Sequence, residues 1–480
     1  VKLFFMQSSG GLTDAHAFQG KDAILSGPAG GIVGMARTAQ LAGHDKVIGF
    51  DMGGTSTDVS HYAGEFEREF ETQVAGVRMR APMMSIHTVA AGGGSILQFD
   101  GARLRVGPQS AGADPGPASY RRGGPLAVTD ANLLLGRIQP RHFPHVFGPG
   151  GGEPLDAAGV RRRFEALAAQ VQQASGRDTT PESLAAGFLR IAVQAMANAI
   201  KRISVARGYD VTGYTLQCFG GAGGQHACGV ADALGMTRVY VHPLAGVLSA
   251  YGMGLADQIA MREASLEQPL SEAGLAAAQT RLDALAASAR DEVVQQGVPA
   301  AGIEQKRFVH VRYEGTDSAL VVPFGAPAEI QSAFEAAYRQ RFAFLMTGKA
   351  LVVEAVSVEA VVAGDAPAEP LYALHPPREV PRRPEVQEGV PMFSDGQWLS
   401  AALVVREDLR PGDVIPGPAI IAEKNATTVV EPGWEAMLSV RDHLVLERRQ
   451  ARSARYAAGT TADPVLLEVF NNLFMNIAEQ

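Results

Sequence analysis

Cysteine is scarce: the 480 residues hold two, Cys218 and Cys228. Two thiols make neither a disulfide framework nor a metal-finger pattern. Scarce cysteine also fits a reducing, cytoplasmic compartment. No apolar run approaches the ~18 residues of a membrane-spanning helix, and no charged-then-apolar leader opens the chain. A basic excess is missing as well. There are 42 basic against 50 acidic side chains, a formal net charge of −8. That balance disfavours a general nucleic-acid binder. No repeat of solenoid length is present. No Gly-Lys-Ser/Thr follows any glycine cluster, so there is no Walker loop. The one Rossmann-like cluster has His226 where the third glycine would stand,.

What the sequence has in excess is glycine: 54 residues, where a typical ~7% would give about 34. They are clustered, which points to tight turns and to backbone that approaches something closely. With 46% hydrophobic and 19% charged residues, the chain is an ordinary globular protein, of a length that allows two to four domains at ~100–200 residues each.

Residues 1–265 alternate strand-like and helix-like patterns, the signature of an α/β architecture. Val1–Met6, Lys46–Phe50 and Thr215–Phe219 read as strands. A helix is expected after Gly27-Pro-Ala-Gly-Gly31, running to Ala42. Another covers Ser183–Arg207, with Pro181 and Glu182 at its start, and a third runs from about Gln225 to Leu234. Residues 266–365 form a mixed α/β segment: an exposed helix Glu272–Gln296, paired strands Phe308–Tyr313 and Ala319–Pro323, a helix Glu329–Arg341, and a strand Leu351–Val362. Pro367–Pro384 reads as a linker. Residues 385–450 carry short strands broken by Pro-Gly and Asp-Gly turns, the pattern of a small all-β domain. In 451–480, Ala451–Ala462 is polar and expected to be mobile. An amphipathic helix then starts at Asp463-Pro464, with Leu466, Leu467, Phe470, Leu473, Phe474 and Ile477 on one side and nothing following to pack against.

The sharpest chemical segment is Asp51-Met-Gly53-Gly54-Thr55-Ser56-Thr57-Asp58. A buried strand delivers Asp51 to its end. Gly53 and Gly54 let the backbone turn so that amides face an anion, and Thr55, Ser56 and Thr57 add hydroxyls. Asp51 is placed to hold a magnesium ion or to orient an attacking group. An ordinary Gly-Gly turn between solvated aspartates is the alternative. A second segment, Gly220-Gly221-Ala222-Gly223-Gly224, follows a buried strand and leaves room for a ribose or a flat ring on the backbone. A plain tight turn is its alternative. Elsewhere the bland readings prevail. His87 is a hydrogen-bonded core residue, Asp114 and Asp130 are turn residues, the cysteines are packing, and His142 and His145 have no partner at metal-ligand spacing.

Together, Gly27-Pro-Ala-Gly-Gly31, Asp51–Asp58, Ala91-Gly-Gly-Gly-Ser95, Ala113–Ala118, Val128–Asn132 and Phe219–Gly223 resemble the hydantoinase A / oxoprolinase family over nearly the whole chain. Phe50–Ala90 is most similar to the ATP-hydrolysing oxoprolinases. The resemblance implies an actin/hexokinase-like (ribonuclease H-like) nucleotide-binding domain in residues 1–265. ATP and Mg2+ would be bound, with catalytic roles for Asp51 and Asp58 and with Asp51 at the metal. Gly53, Gly54, Thr55, Ser56 and Thr57 match the second phosphate loop, and Gly220, Gly221, Ala222 and Gly223 match the adenosine segment. The implied reaction is ATP-dependent opening of 5-oxo-L-proline to L-glutamate. Hydantoin, caprolactam or ketone-carboxylating relatives are the alternatives, as is a nucleotide-binding module inactive on its own. The first phosphate loop is expected upstream of Val1, and the C-terminal helix resembles the start of the family's B half. The implied partners are therefore an upstream segment, a downstream B half and a small cyclic amide, in an oligomer without nucleic acid or membrane.

Overall fold

The computed structural model describes residues 2–74, 77–364, 368–374, 382–451 and 464–479. The expected mobile stretch Ala451–Ala462 lies outside them apart from Ala451, as does much of the Pro367–Pro384 linker.

The fold is mixed α/β, with one large sheet at its centre. In spatial order its eight strands are Val414–Pro416, Trp434–Leu438, Leu444–Arg448, Arg238–Val241, Thr215–Phe219, Val47–Met52, Thr57–Tyr62 and His87–Val89. The three middle strands, Arg238–Val241, Thr215–Phe219 and Val47–Met52, run parallel, in a register that pairs Leu216 with both Val239 and Ile48. Parallel strands are covered on both faces. Accordingly Val47, Ile48, Phe50, Leu216 and Val239 are fully buried.

The C-terminal all-β segment does not stand apart. Its strands Glu388–Ser394, Gln397–Val405, Ala419–Ala422 and Thr427–Val430 form a sheet of their own, while three more complete the edge of the central sheet. Likewise Phe4–Met6 and Leu12–Asp14 leave the N-terminal segment to join Gln258–Pro269, Leu351–Val362, Glu304–Tyr313 and Leu320–Pro323 in a six-stranded sheet. Turn spacing locates short strands but carries no information about which sheet each one joins.

Helix Ser26–Leu41 begins earlier than expected, and the Gly-Pro-Ala-Gly-Gly stretch lies inside its first turns. The glycines there serve close helix packing. A side chain on Gly30 would start 2.6 Å from the Ser249 carbonyl oxygen, and one on Gly252 would start 2.0 Å from that of Gly30. The neighbouring helix Leu248–Leu255 therefore rides directly on the backbone of Ser26–Leu41. Helix Pro181–Ile203 starts where its signals place it. Thr180 accepts the Ser183 amide and Pro181 occupies the first turn,. With the following turn to Arg207 it is long and apolar enough to cross a membrane, by length and composition, yet 61% of its most apolar 18-residue window is buried inside the protein. Leu184, Phe188, Ile191, Met196 and Ile200 place it in the core.

Two expectations about exposure change. Helix Glu272–Gln295 buries Leu275, Ala278, Leu282, Ala286 and Val293. A stripe rich in alanine conceals an apolar face that bulkier residues would have made plain. The C-terminal helix Pro464–Glu479 packs through Val465 and Val469 against the main core, leaving Leu467, Phe470 and Phe474 exposed.

Asp130 is a brace. It is fully buried and accepts the amides of Ala118, Ser119 and Ala127 at 2.9, 2.9 and 2.8 Å. Burial pushes its pKa up, against those hydrogen bonds. Asp130→Ala orphans three buried donors at ~1–3 kcal/mol each. We expect a loss of about 3 kcal/mol or more, measured by urea unfolding.

Candidate active site

Strands Val47–Met52 and Thr57–Tyr62 form an antiparallel hairpin in which Asp51 lies opposite Asp58 and Met52 opposite Thr57. Strand alternation then decides the roles. Asp51 and Asp58 share one face and are half-buried. Met52 and Thr57 share the other and are fully buried. The Thr57 hydroxyl donates to the Ala91 carbonyl. Thr57, expected among the phosphate-facing hydroxyls, is thus committed to the protein interior.

The two carboxylates are electrostatically strained. The Asp51 pKa is raised to about 6, first by burial and then by the neighbouring Asp58 charge, with a hydrogen bond from Ser249 working the other way. Burial also raises Asp58, opposed by the Thr88 hydroxyl, which donates to it at 2.6 Å. Like charges facing each other across a hairpin favour the cation-bound or the partly protonated state.

Beyond the pair, the turn is closed by Gly53 N–H donating to Ser56 O at 3.1 Å. Neither Gly53 nor Gly54 has a left-handed φ. What singles them out is space: a side chain at either position would start with no atom within 4 Å. Gly54 and Thr55 are exposed. The tip is an open backbone surface, and its glycines keep it so.

Two further glycine loops hold this tip in place. In Ala91–Ser95, the amides of Gly93 and Gly94 donate to the carbonyls of Gly53 and Gly54 at 3.0 and 2.6 Å. A side chain on Gly92 would start 2.5 Å from Thr55 backbone. Thr129 in turn donates its amide and its hydroxyl to Gly93 O, at 2.8 and 2.9 Å. In the second loop, Ala222 N–H donates to Met52 O at 3.1 Å. Gly220 sits at φ +80°, where a side chain would start 2.5 Å from Asp51 Oδ1 and 2.4 Å from Met52 O. Gly223 lies 2.7 Å, by the same measure, from Cys218 Sγ, so its closeness is to the core. Gly221 is exposed. It borders the Asn425 carbonyl and lies beside a cavity of about 330 Å3 lined by Leu244, Val247, Glu423, Lys424 and Asn425.

The structure therefore brings Asp51, Asp58, Gly53–Ser56 and Gly220–Ala222 together at one end of the parallel strands. It adds three residues that the motifs did not assign: Ser249, Thr88 and Gly92. Ser249 sits about 200 positions from Asp51 and belongs to no glycine cluster, so spacing could not find it. The Gly92 loop was visible as a glycine run, but not its target. The remaining candidates are structural. His226 is buried against Asn132 at 3.1 Å, and its pKa falls to about 3 through burial first and the Arg137 charge second. Both cysteines are fully buried, and burial raises their pKa values, which makes them inert,. His87 is half-buried, its pKa lowered by burial and by Arg202 and Arg207.

The donor set suits a hard divalent cation, since Asp51 and Asp58 offer carboxylate oxygens. The open Gly53–Thr55 tip suits phosphate oxygens.

Fold and site define a mixed α/β protein with the architecture of a solved ATP-dependent caprolactamase from Pseudomonas jessenii. The TM-score is 0.82 at 26% identity, over 93% of this chain and 65% of that one. The chain belongs to the hydantoinase/oxoprolinase family: residues 1–262 match the family and residues 267–449 match its C-terminal domain. It is 40% identical to 5-oxoprolinase 1 of Arabidopsis thaliana over 100% of this chain and 38% of that protein. With caprolactamase subunit alpha of P. jessenii the figure is 28%, over 90% of this chain and 63% of the relative. The chain thus spans about two fifths of the length of the oxoprolinase it matches.

Proposed function

We propose that the chain is the nucleotide-handling part of an ATP-dependent cyclic amide hydrolase that opens 5-oxo-L-proline to L-glutamate. The observation that carries this reading is the carboxylate pair, Asp51 opposite Asp58, beside an open Gly53–Gly54 tip. The likeness to an oxoprolinase over the whole of this chain supports the choice of substrate. In this reading the domain is actin/hexokinase-like and the enzyme is cytoplasmic. The Gly220–Gly223 segment lies against adenosine. The remainder of the enzyme, including a B half, completes the site in an oligomer.

A five-membered lactam is held closed by amide resonance and by the entropic ease of ring closure. ATP would supply the phosphoryl group that makes the carbonyl carbon electrophilic: water adds there, the ring C–N bond breaks to free the amine, and a second water hydrolyses the resulting acyl phosphate to glutamate and phosphate. Catalysis of phosphoryl transfer is chiefly positioning and charge neutralisation. Asp51 and Asp58 would hold Mg2+, which would neutralise charge on the phosphates. The amides of Gly53, Gly54 and Thr55, with the hydroxyls of Thr55 and Ser56, would receive the terminal phosphates. Ser249 and Thr88 fix the two carboxylates by donating one hydrogen bond to each.

The test is ATP turnover with and without 5-oxo-L-proline, on the chain alone and on the chain joined to its B half. The expected result is ADP and glutamate released in equal amounts, requiring the joined form. Turnover of caprolactam or a hydantoin in preference to 5-oxoproline would reassign the substrate. ATP binding without turnover in the joined form would leave a nucleotide-binding module.

A further inference from the structure

Away from the hairpin, three residues from distant parts of the chain meet in the interior. His242 follows the central strand Arg238–Val241. His443 immediately precedes the strand Leu444–Arg448 beside it. Glu369 comes from the segment 368–374 that crosses over them. Their side chains are 3%, 2% and 6% exposed. One ligand atom from each lies within 4.8 Å of the others.

The hydrogen-bond inventory around them does not close. The single hydroxyl proton of Tyr240 has two acceptors in reach, Thr38 O at 3.3 Å and His443 Nδ1 at 3.1 Å. With that proton on Thr38 O, a neutral His443 carries its own on Nδ1, and its Nε2 presents a lone pair. Nε2 faces Glu369 Oε2 at 3.1 Å, and among the described residues neither atom has a hydrogen bond of good geometry. An imidazole lone pair aimed at a carboxylate oxygen in a dry interior is repulsive unless a positive charge sits between them. Arg406, which acts on His242, is paired with Asp442 at 3.0 Å, and Arg441 acts on His443 only as a neighbouring charge.

We propose that His242, Glu369 and His443 form a binding site for a zinc-type divalent cation, tying the segment around Glu369 to the central sheet. Two imidazoles and one carboxylate form a common ligand set for such ions, with a water in the fourth position. The Tyr240 contact to His443 Nδ1 is the kind of outer partner that fixes a ligating ring and its tautomer. The third ligand demands one adjustment. His242 Nδ1 now accepts the Leu244 amide at 3.1 Å, and its Nε2 points at Glu369 Oε1 at 3.0 Å. Ligation through Nε2 moves the proton to Nδ1 and releases that amide. Leu244 lies at the rim of the 330 Å3 cavity and is 42% exposed, which gives the turn room.

The test is titration of metal-free protein with Co2+ and Zn2+ by calorimetry, with the ligand-field spectrum of the cobalt form. The expected result is one ion per chain and a spectrum of low-coordinate cobalt bound to nitrogen and oxygen. Glu369→Gln and His443→Ala should each weaken binding by more than ~100-fold, and Tyr240→Phe by ~10–100-fold. Asp51→Asn should leave this binding unchanged, which separates the site from the hairpin carboxylates. Wild-type protein that takes up no stoichiometric ion would overturn the proposal, leaving a shared proton between His443 and Glu369. So would binding that survives both Glu369→Gln and His443→Ala. Wild-type binding is read directly, so a variant that fails to fold does not decide the question.

Discussion

Replacing Asp51 by asparagine is expected to lower ATP turnover of the joined enzyme by at least ~100-fold while making the chain more stable. The activity loss follows from position. Asp51 ends a buried strand, faces Asp58, and lies where a phosphate-bound cation would need a hard anionic oxygen. Removing one such positioned electrostatic group commonly costs ~3 kcal/mol or more in the barrier. The stability gain follows from the sign of its pKa shift. Burial and the Asp58 charge raise the native pKa from 3.8 to about 6. Between those values the native state binds more protons than the unfolded chain. Stability therefore falls as pH rises through this window and stays lower above it.

Asparagine carries no charge, so the variant escapes that penalty. Its advantage should be on the order of 2 kcal/mol at pH 7–8 and should shrink to a small fraction of that near pH 4, where the wild-type carboxyl is protonated in the native state and only partly ionised in the unfolded chain. Denaturant unfolding of wild type and Asp51→Asn at the two pH values measures it. Wild-type activity should rise through about pH 6 as Asp51 ionises, and the variant should lack that limb. A variant that is inactive but also less stable at pH 8 would mean that Asp51 is a structural brace of the kind Asp130 is.

These pairings also show what a sequence can and cannot disclose. Val47–Met52 and Thr215–Phe219 were legible as buried strands because continuous apolar runs ending at glycine leave few other options. The Asp51 and Gly220 segments were legible as companions because each follows such a strand, and parallel strands carry their sites at one end. Thr57 was misplaced for a simple reason. A hydroxyl beside a glycine turn reads as a donor to a ligand, and only the register with Met52 reveals that it points inward. The division of residues 385–450 between two sheets was not legible, since edge strands of the central sheet and strands of a separate sheet share the same alternation. Ser249 and the His242–Glu369–His443 cluster were out of reach because their partners are set by chain crossings, not spacing.

The glycines supply the second large effect, through a contrast between two positions that look alike in sequence. Gly220→Ala places a side chain at φ +80°, and its first atom would start 2.4 Å from Met52 O and 2.5 Å from Asp51 Oδ1. The left-handed backbone costs an L-residue ~1–2 kcal/mol. Overpacking against backbone adds ~1–3 kcal/mol more. The sum is a loss of about 3 kcal/mol, and relief of the clash must push Asp51 out of line. Stability and ATP turnover should fall together. Gly53→Ala meets no atom within 4 Å and needs no left-handed φ. Its stability should stay within ~0.5 kcal/mol of wild type, as for other unobstructed surface changes, while ATP affinity falls because a methyl group now occupies the approach to the amides. Urea unfolding together with nucleotide titration of both variants separates the cases. If Gly53→Ala bound ATP as wild type does, the open tip would not be where phosphate lies, whatever became of Gly220→Ala.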